Sequence, residues 1–323
     1  MTGAGVPCLL MRGGTSKGAY FLAEDLPADP AERDDLLLRV MGSPDPRQID
    51  GIGGGHPLTS KVAVVSRSGD PDADVDYLFL QVGVGEATVS DRQNCGNLLA
   101  GVAPFARSRG LAGPGPVRVR MVNTGALATA RCAGTEVALD FQGTEGSSCG
   151  ALLPTGNRQD TVDGVAVTLV DNGMPVVVVA AADLGATGYE SPEELAADAE
   201  LLARVRSLRI RAGGLMGLGD VTGTTVPKTT LIAPPRADGL LCTRTFIPER
   251  PHTAIGVFGA ITVATAAQLP GTVARGLAGL GGRIEHPSGH LDVHVELDGE
   301  HVRRAGVVRT ARALFDGLVF PRP

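Results

Sequence analysis

Asn94-Cys95-Gly96-Asn97-Leu98-Leu99-Ala100-Gly101-Val102-Ala103 opens a segment that stays apolar on nearly every face as far as Arg107. A helix without a polar side belongs inside a protein. A second segment of this kind, of Ala, Val, Ile and Gly, is predicted over 253–267. Strand-like runs surround both, at 61–66, 75–83, 117–122, 137–141, 165–170, 176–180, 240–246 and 291–297. Turn residues separate these runs and no crossover helices alternate with them. Mixed or antiparallel sheet is therefore expected, and a doubly wound sheet is disfavoured. The reading is α+β: two similar lobes, each wrapping sheet around one buried helix. The Gly-rich turn at Cys132-Ala133-Gly134-Thr135 marks the expected break, with one lobe at 1–134 completed by 306–323 and the other at 135–305.

Two further segments have the marks of ordinary helices. Asp29-Pro30 offers an N-cap and a proline at the first helical position, ahead of Glu32 and Leu36-Leu37-Leu38. Ser191-Pro192-Glu193-Glu194 has the form of a capping box and leads a helix predicted to run to about Arg211.

Composition narrows the function. Of 323 residues, 45 are Gly and 22 Pro, while Phe (8) and Tyr (3) are few and Trp is absent. Many short elements joined by tight turns are expected, without the aromatic platforms on which sugars or single-stranded nucleic acids stack. The formal net charge is −6 and no long basic run occurs apart from the spaced Arg204, Arg206, Arg209 and Arg211, which argues against nucleic acid and anionic membranes as partners. The longest apolar stretch, 176–182, is too short to span a bilayer. The start, Met1-Thr2-Gly3-Ala4-Gly5-Val6-Pro7, has neither the basic nor the apolar region of a signal peptide. Five cysteines, Cys8, Cys95, Cys132, Cys149 and Cys242, are spread out with no Cys-x-x-Cys, which suits a reducing cytoplasm rather than a disulfide scaffold or zinc ribbon.

Three segments carry candidate chemistry. Met11-Arg12-Gly13-Gly14-Thr15-Ser16-Lys17-Gly18 could present several backbone N–H groups to an anion, or be a plain tight turn; it lacks the spacing of a P-loop. The loop from Gln48 through Gly51, Gly53, Gly54, Gly55, Thr59 and Ser60 ends at Lys61, which heads an apolar strand. Alone, Lys61 reads as an edge lysine that snorkels; turned inward, it is a usable general base. Cys95, between Asn94 and Gly96-Asn97 at the start of the apolar helix, sits where unpaired N–H groups and the positive dipole end favour an anion. Buried cysteines are commonly inert. This one is the best nucleophile or acid in the chain.

Two other motifs carry less. His286-Pro287-Ser288-Gly289-His290-Leu291-Asp292-Val293-His294 has metal-ligand residue types, but Pro287 and Gly289 break a helix. Alternation after Leu291 puts His290, Asp292 and His294 on one polar strand face, so no metal is expected. Gly217-Leu218-Gly219-Asp220-Val221-Thr222-Gly223 misses the dinucleotide fingerprint by one residue.

Taken together, the segments resemble the PrpF family, which includes aconitate isomerases, methylitaconate isomerases and 4-oxalomesaconate tautomerases. The resemblance rests on 11–18, Asp50-Gly51 with Thr59-Ser60-Lys61-Val62-Ala63, Asn94-Cys95-Gly96-Asn97, Leu153-Pro154-Thr155-Gly156 with Asp160, Asp171 with Pro175, and Val226-Pro227-Lys228. It continues through Pro251-His252-Thr253-Ala254-Ile255-Gly256, His286-Pro287-Ser288-Gly289, and Arg309-Thr310-Ala311-Arg312 with Asp316-Gly317, in order over nearly the whole chain.

The resemblance implies a diaminopimelate-epimerase-like fold of two pseudo-symmetric lobes with the site in the cleft between them. Lys61 and Cys95 match the family's catalytic lysine and cysteine. Substrate binding is implied for Arg12, Gly13, Gly14, Thr15, Ser16, Thr59, Ser60, Asn94, Gly96, Asn97, Met174, His252, Thr253, Ala254, Ser288, Gly289 and His290. The second cysteine of two-cysteine epimerases is missing from 252–259, and Thr253 stands where a basic residue is expected. A Lys/Cys proton shuttle is thus implied: a 1,3-allylic proton shift in a small unsaturated di- or tricarboxylate, with no cofactor and no metal. An isomerase of a pathway-specific unsaturated acid is the alternative within the enzymes. A non-catalytic accessory protein of an aconitase-like enzyme is the alternative outside them. A homodimer is left open.

Overall fold

In the computed structural model of the chain, residues 5–91 and 94–323 are described. The opening residues Met1 to Ala4, on which the signal-peptide reading partly rests, and Arg92 and Gln93 of the loop before Cys95 lie outside the described residues. Two compact units divide the chain, Met1–Phe141 with Val308–Pro323, and Gln142–Val307. The turn at Gly134, expected as the boundary, instead joins two neighbouring strands of the first unit; its φ of 61° suits glycine.

The first unit contains β1 (Val6–Gly13), β2 (Ser16–Leu22), α1 (Pro30–Met41), β3 (Lys61–Arg67), β4 (Val75–Val82), β5 (Val89–Ser90), α2 (Gly96–Ser108), β6 (Val117–Met121), β7 (Leu127–Ala133) and β8 (Glu136–Gln142), whose last residue falls past the boundary. The second unit contains β9 (Asp160–Val162), β10 (Val165–Asp171), β11 (Pro175–Ala180), α3 (Pro192–Ala197), α4 (Ala199–Leu215), β12 (Lys228–Ala233), β13 (Leu241–Phe246), α5 (Val257–Gln268), β14 (Arg283–His286) and β15 (Gly289–Asp298). The long final strand β16 (His301–Val319) contributes its first residues to the second unit and the rest to the first.

In the first unit the sheet runs β1-β2-β3-β4-β6-β7-β8. β16 lies beside β8 and pairs antiparallel with β1 from Val6↔Val319 to Gly13↔Ala311, so the sheet closes on itself. Closure leaves those strands without a free edge. α2 packs against β1, β2, β3, β4 and β7. Its residues Leu98, Leu99, Ala100, Val102, Ala103, Phe105 and Ala106 are at most 1% exposed, as its uniformly apolar sequence requires.

In the second unit the strands run β9-β10-β11-β12-β13-β14-β15, with the start of β16 beyond β15. α5 packs against β10, β11 and β15, and α4 against β9, β11 and β12. Among the described residues no helix is long and apolar enough to cross a membrane.

The 11–18 segment is the tip of the β1–β2 hairpin, with Gly14 and Thr15 as its tight turn. Two expectations are corrected. The second apolar helix starts at Val257, not Thr253, because Thr253 and Ala254 are held in a turn by the Ala254 N–H donating to His252 Nδ1 (2.8 Å) and Gly256 is extended. The helix predicted from 192 to 211 is two helices. Asp198 leaves the helical conformation and its carboxylate caps the second by accepting from Leu201 N at 2.9 Å.

Candidate functional site

Strand alternation places the first unit's catalytic candidates. On β4, Tyr77, Phe79 and Gln81 share one face, and Lys61 of β3 stands directly opposite Gln81. Lys61 is 8% exposed, so it points inward and does not snorkel at an edge. Its ammonium donates to Gln81 Oε1 at 2.8 Å and lies 4.9 Å from the centre of the Phe79 ring. Gln81 is held in turn, its Nε2 donating to the Ser60 carbonyl at 2.9 Å. No carboxylate pairs with Lys61 among the described residues, so its charge is offset only by an amide oxygen and a ring face.

Tyr77, on the same face, donates its hydroxyl to the Cys95 carbonyl at 3.1 Å. Cys95 is the N-cap of α2, a position that no side chain caps, and Gly96, Asn97 and Leu98 follow as its first turn. The leading N–H groups of such a helix lack intrahelical acceptors and point toward whatever lies in front of them. Burial pushes both Tyr20 and Tyr77 far above the usual phenol range, with Cys95 adding to it, so both stay neutral donors. Tyr20 donates to the Leu98 carbonyl at 2.5 Å.

The hairpin tip docks on this helix start. Asn97 Nδ2 donates to Thr15 Oγ1 (3.0 Å) and Ser16 Oγ (3.4 Å). A Cβ on Gly13 would lie 2.2 Å from the Asn97 carbonyl oxygen, and one on Gly14 2.3 Å from Asn97 Oδ1. Glycine is therefore what lets the turn approach. Arg12 is committed elsewhere: its guanidinium donates to Thr310 Oγ1 (2.8 Å) and the Gly14 carbonyl (2.9 Å). Asn94 Nδ2 donates to Thr124 Oγ1 at 2.7 Å, and the Oδ1 atoms of Asn94 and Asn97 are buried without a partner among the described residues. Thr59 and Ser60 close the loop before β3. The Ser60 hydroxyl is fully buried, 2.7 Å from Gln48 Oε1 and 3.0 Å from the His56 carbonyl, so it shapes that loop.

The second unit gathers a different subset. The Met174 carbonyl accepts from Thr262 Oγ1 of α5 at 3.0 Å, and His252 and Ala254 form the turn ahead of α5, followed by the uncapped Gly256. Thr253 is exposed in that turn. Lys228 opens β12 beside Val176. Burial pushes its ammonium down to about 8, with the Arg209 guanidinium adding to the effect. Burial also holds the His252 imidazole below its ordinary value, and nearby Lys228 pushes the same way. Ser288 lies in the exposed β14–β15 turn, with its Oγ 3.3 Å from His286 Nδ1, and Gly289 and His290, also exposed, open β15.

Other sequence features have structural roles. Arg206 and Arg209 face Glu249, Arg211 pairs with Asp163 at 2.6 Å, and Arg204 donates to the Asp183 carbonyl. Among the described residues, no three His, Cys, Asp or Glu side chains are grouped as a metal site. Two residues that the sequence displayed without a role gain one here: Lys228, through its burial, and Arg309, whose guanidinium lies near Cys95 and has a buried, unpartnered Nε.

Lys61 bonds Gln81 and the Cys95 carbonyl accepts from Tyr77, two residues of one β4 face, and isomerase is the class of the chain. The family model described as PrpF protein matches residues 4–322, and the chain belongs to that family. It is similar to the (4E)-oxalomesaconate Delta-isomerase of Novosphingobium sp. strain KA1, 55% identical over 97% of each chain. It is also similar to the 4-oxalomesaconate tautomerase of Pseudomonas putida, at 52% identity over 97% of this chain and 95% of the other. Among solved structures, a methylitaconate-delta-isomerase superposes with a TM-score of 0.88 at 32% identity, covering 98% of this chain and 95% of its own. A probable proline racemase from Agrobacterium radiobacter, at 16% identity and a TM-score of 0.56 over 97% of this chain and 92% of its own, shares the fold.

Proposed function

We propose that the protein shifts a C=C bond in a small unsaturated polycarboxylate by a 1,3-allylic proton transfer, with 4-oxalomesaconate as the leading substrate. The observation that supports this reading is that the Lys61 ammonium bonds Gln81 and the Cys95 carbonyl bonds Tyr77, two residues on one face of β4. The names of the two relatives above 50% identity support the choice of substrate.

One of the pair removes an acidic proton from the carbon next to the carbonyl or carboxylate. The electron pair spreads into a dienolate, and the other residue returns a proton to the far end of the three-carbon allylic unit, two carbons along. The substrate's own carbonyl takes up the charge, so the step balances without a cofactor. The leading N–H groups of α2 and the 13–16 turn are suited to stabilising the dienolate. Asn94 and Asn97 belong to the same group, and Thr59 and Ser60 support it from the loop before β3. In the second unit, Met174, His252, Thr253, Ala254, Ser288, Gly289 and His290 are assigned to binding the substrate carboxylates.

An apolar helix packed on sheet in each unit supports a diaminopimelate-epimerase-like fold of two similar lobes. Five free cysteines support a reducing, cytoplasmic location.

The test is isomerisation of 4-oxalomesaconate in D₂O followed by NMR, with wild type, Lys61→Met and Cys95→Ser. Wild type is expected to incorporate deuterium at the carbon that receives the proton. Each variant is expected to lose about 10²- to 10⁴-fold in rate. Full turnover in both variants would refute the assignment.

A further inference from the structure

Arg309 differs from most of the described arginines of the first unit. Arg109, Arg118 and Arg120 have carboxylate partners, Arg12 is bonded to Thr310, and Arg67 donates to the carbonyls of Gly110 and Leu111. Arg309 has no hydrogen-bond acceptor or carboxylate partner among the described residues, and its Nε is buried and unsatisfied. A buried donor without an acceptor costs free energy, and native proteins tolerate few of them.

Its place is set by register. Gly13 pairs with Ala311 and the Gly14 N–H donates to the Thr310 carbonyl at 2.8 Å, so Arg309 runs on past the end of β1, alongside the Gly14-Thr15 turn. A Cβ on Gly14 would lie 3.4 Å from Arg309 Cδ and 2.3 Å from Asn97 Oδ1, so the arginine stem, the turn and the first turn of α2 meet at one point. The Cys95 thiol is the titratable group that acts on this guanidinium, whose affinity for its proton burial lowers to a pKa of about 10.

We propose that Arg309 binds a carboxylate of the substrate and holds it against Cys95. The planar fork matches two carboxylate oxygens, and no protein acceptor has to be displaced first. A carboxylate there would face both the guanidinium and the leading N–H groups of Gly96 and Asn97. The inference rests on the isomerase reading for the identity of the carboxylate, but not for the cationic site beside Cys95.

Two measurements keep these apart. The first alkylates the intact protein with iodoacetate or iodoacetamide and follows Cys95 alone by peptide mass spectrometry, in wild type, Arg309→Gln and Arg309→Lys. A cation beside the thiol favours the anionic reagent, so the iodoacetate-to-iodoacetamide rate ratio at Cys95 is expected to fall about tenfold in Arg309→Gln and to persist in Arg309→Lys. A ratio unchanged in Arg309→Gln overturns the proposal whatever the enzyme's substrate is. The second measures KM and kcat with 4-oxalomesaconate. KM is expected to rise about tenfold or more in Arg309→Gln and to be only partly restored in Arg309→Lys, because an ammonium cannot make the paired contact. An unchanged KM in a wild-type enzyme that turns the acid over also overturns it. If wild type leaves the acid unchanged, the substrate assignment fails and the alkylation ratio still decides the site.

Discussion

Gly14 has a φ of 51°, in the left-handed region, and a Cβ there would collide with Asn97 Oδ1. Gly14→Ala is expected to destabilise the protein by about 1–3 kcal/mol, read by chemical denaturation, and to displace Asn97 from Thr15 and Ser16. At this scale much of the candidate site was legible. Cys95 ahead of an apolar run, Lys61 heading an apolar strand and paired glycines at 13–14 are each odd enough locally to stand out. Arg309 and Lys228 were visible only as parts of a resemblance. What marks them is a missing partner in one case and burial in the other, and both depend on residues distant in the chain.

At the scale of elements, the β12 start carries a pH signature. Lys228 binds its proton less tightly folded, at about 8, than at its ordinary 10.5. Between those values the unfolded chain holds a proton that the folded chain lacks, so stability should climb with pH across that window. Below about 8 both states are protonated and the cost of burying the charge is fully present. Comparing denaturation midpoints of wild type and Lys228→Met from pH 7 to 10.5 should show a rise in wild type that the variant lacks; parallel profiles would count against it. The elements themselves were only partly readable. Apolar α2 was placed to within a residue or so, since its character is written on every face. By sequence the 11–18 segment reads as either an anion-binding loop or a tight turn, because its polar residues, Arg12 to Lys17, become strand only by pairing with each other and with β16. The break at Asp198 was hidden because residues on both sides of it favour helix.

For the whole molecule, the first unit is discontinuous: Val308–Pro323 completes a sheet built by Met1–Phe141. Ending the chain at Val307 would remove the strand that closes it against β1 and leave two edges open. Such a truncation is expected to aggregate or lose protease resistance within 1–141, with peptides from that range appearing first in a timed digest. Equal resistance of the truncated and full chains would contradict the closed sheet.

The sequence by itself determined the two buried helices and the sheet-rich character of the chain, and it singled out Lys61 and Cys95 as candidates, because hydrophobic periodicity and helix-end chemistry act over a few residues. Only the tertiary structure decided that Lys61 turns inward onto Gln81 and Phe79, that the 11–18 segment is a hairpin seated on α2, and that Arg309, without a partner among the described residues, lies against the Gly14 turn at the start of α2. Each of those follows from strand register between segments far apart in the chain. Register depends on how the whole sheet closes, which no local run of residues specifies.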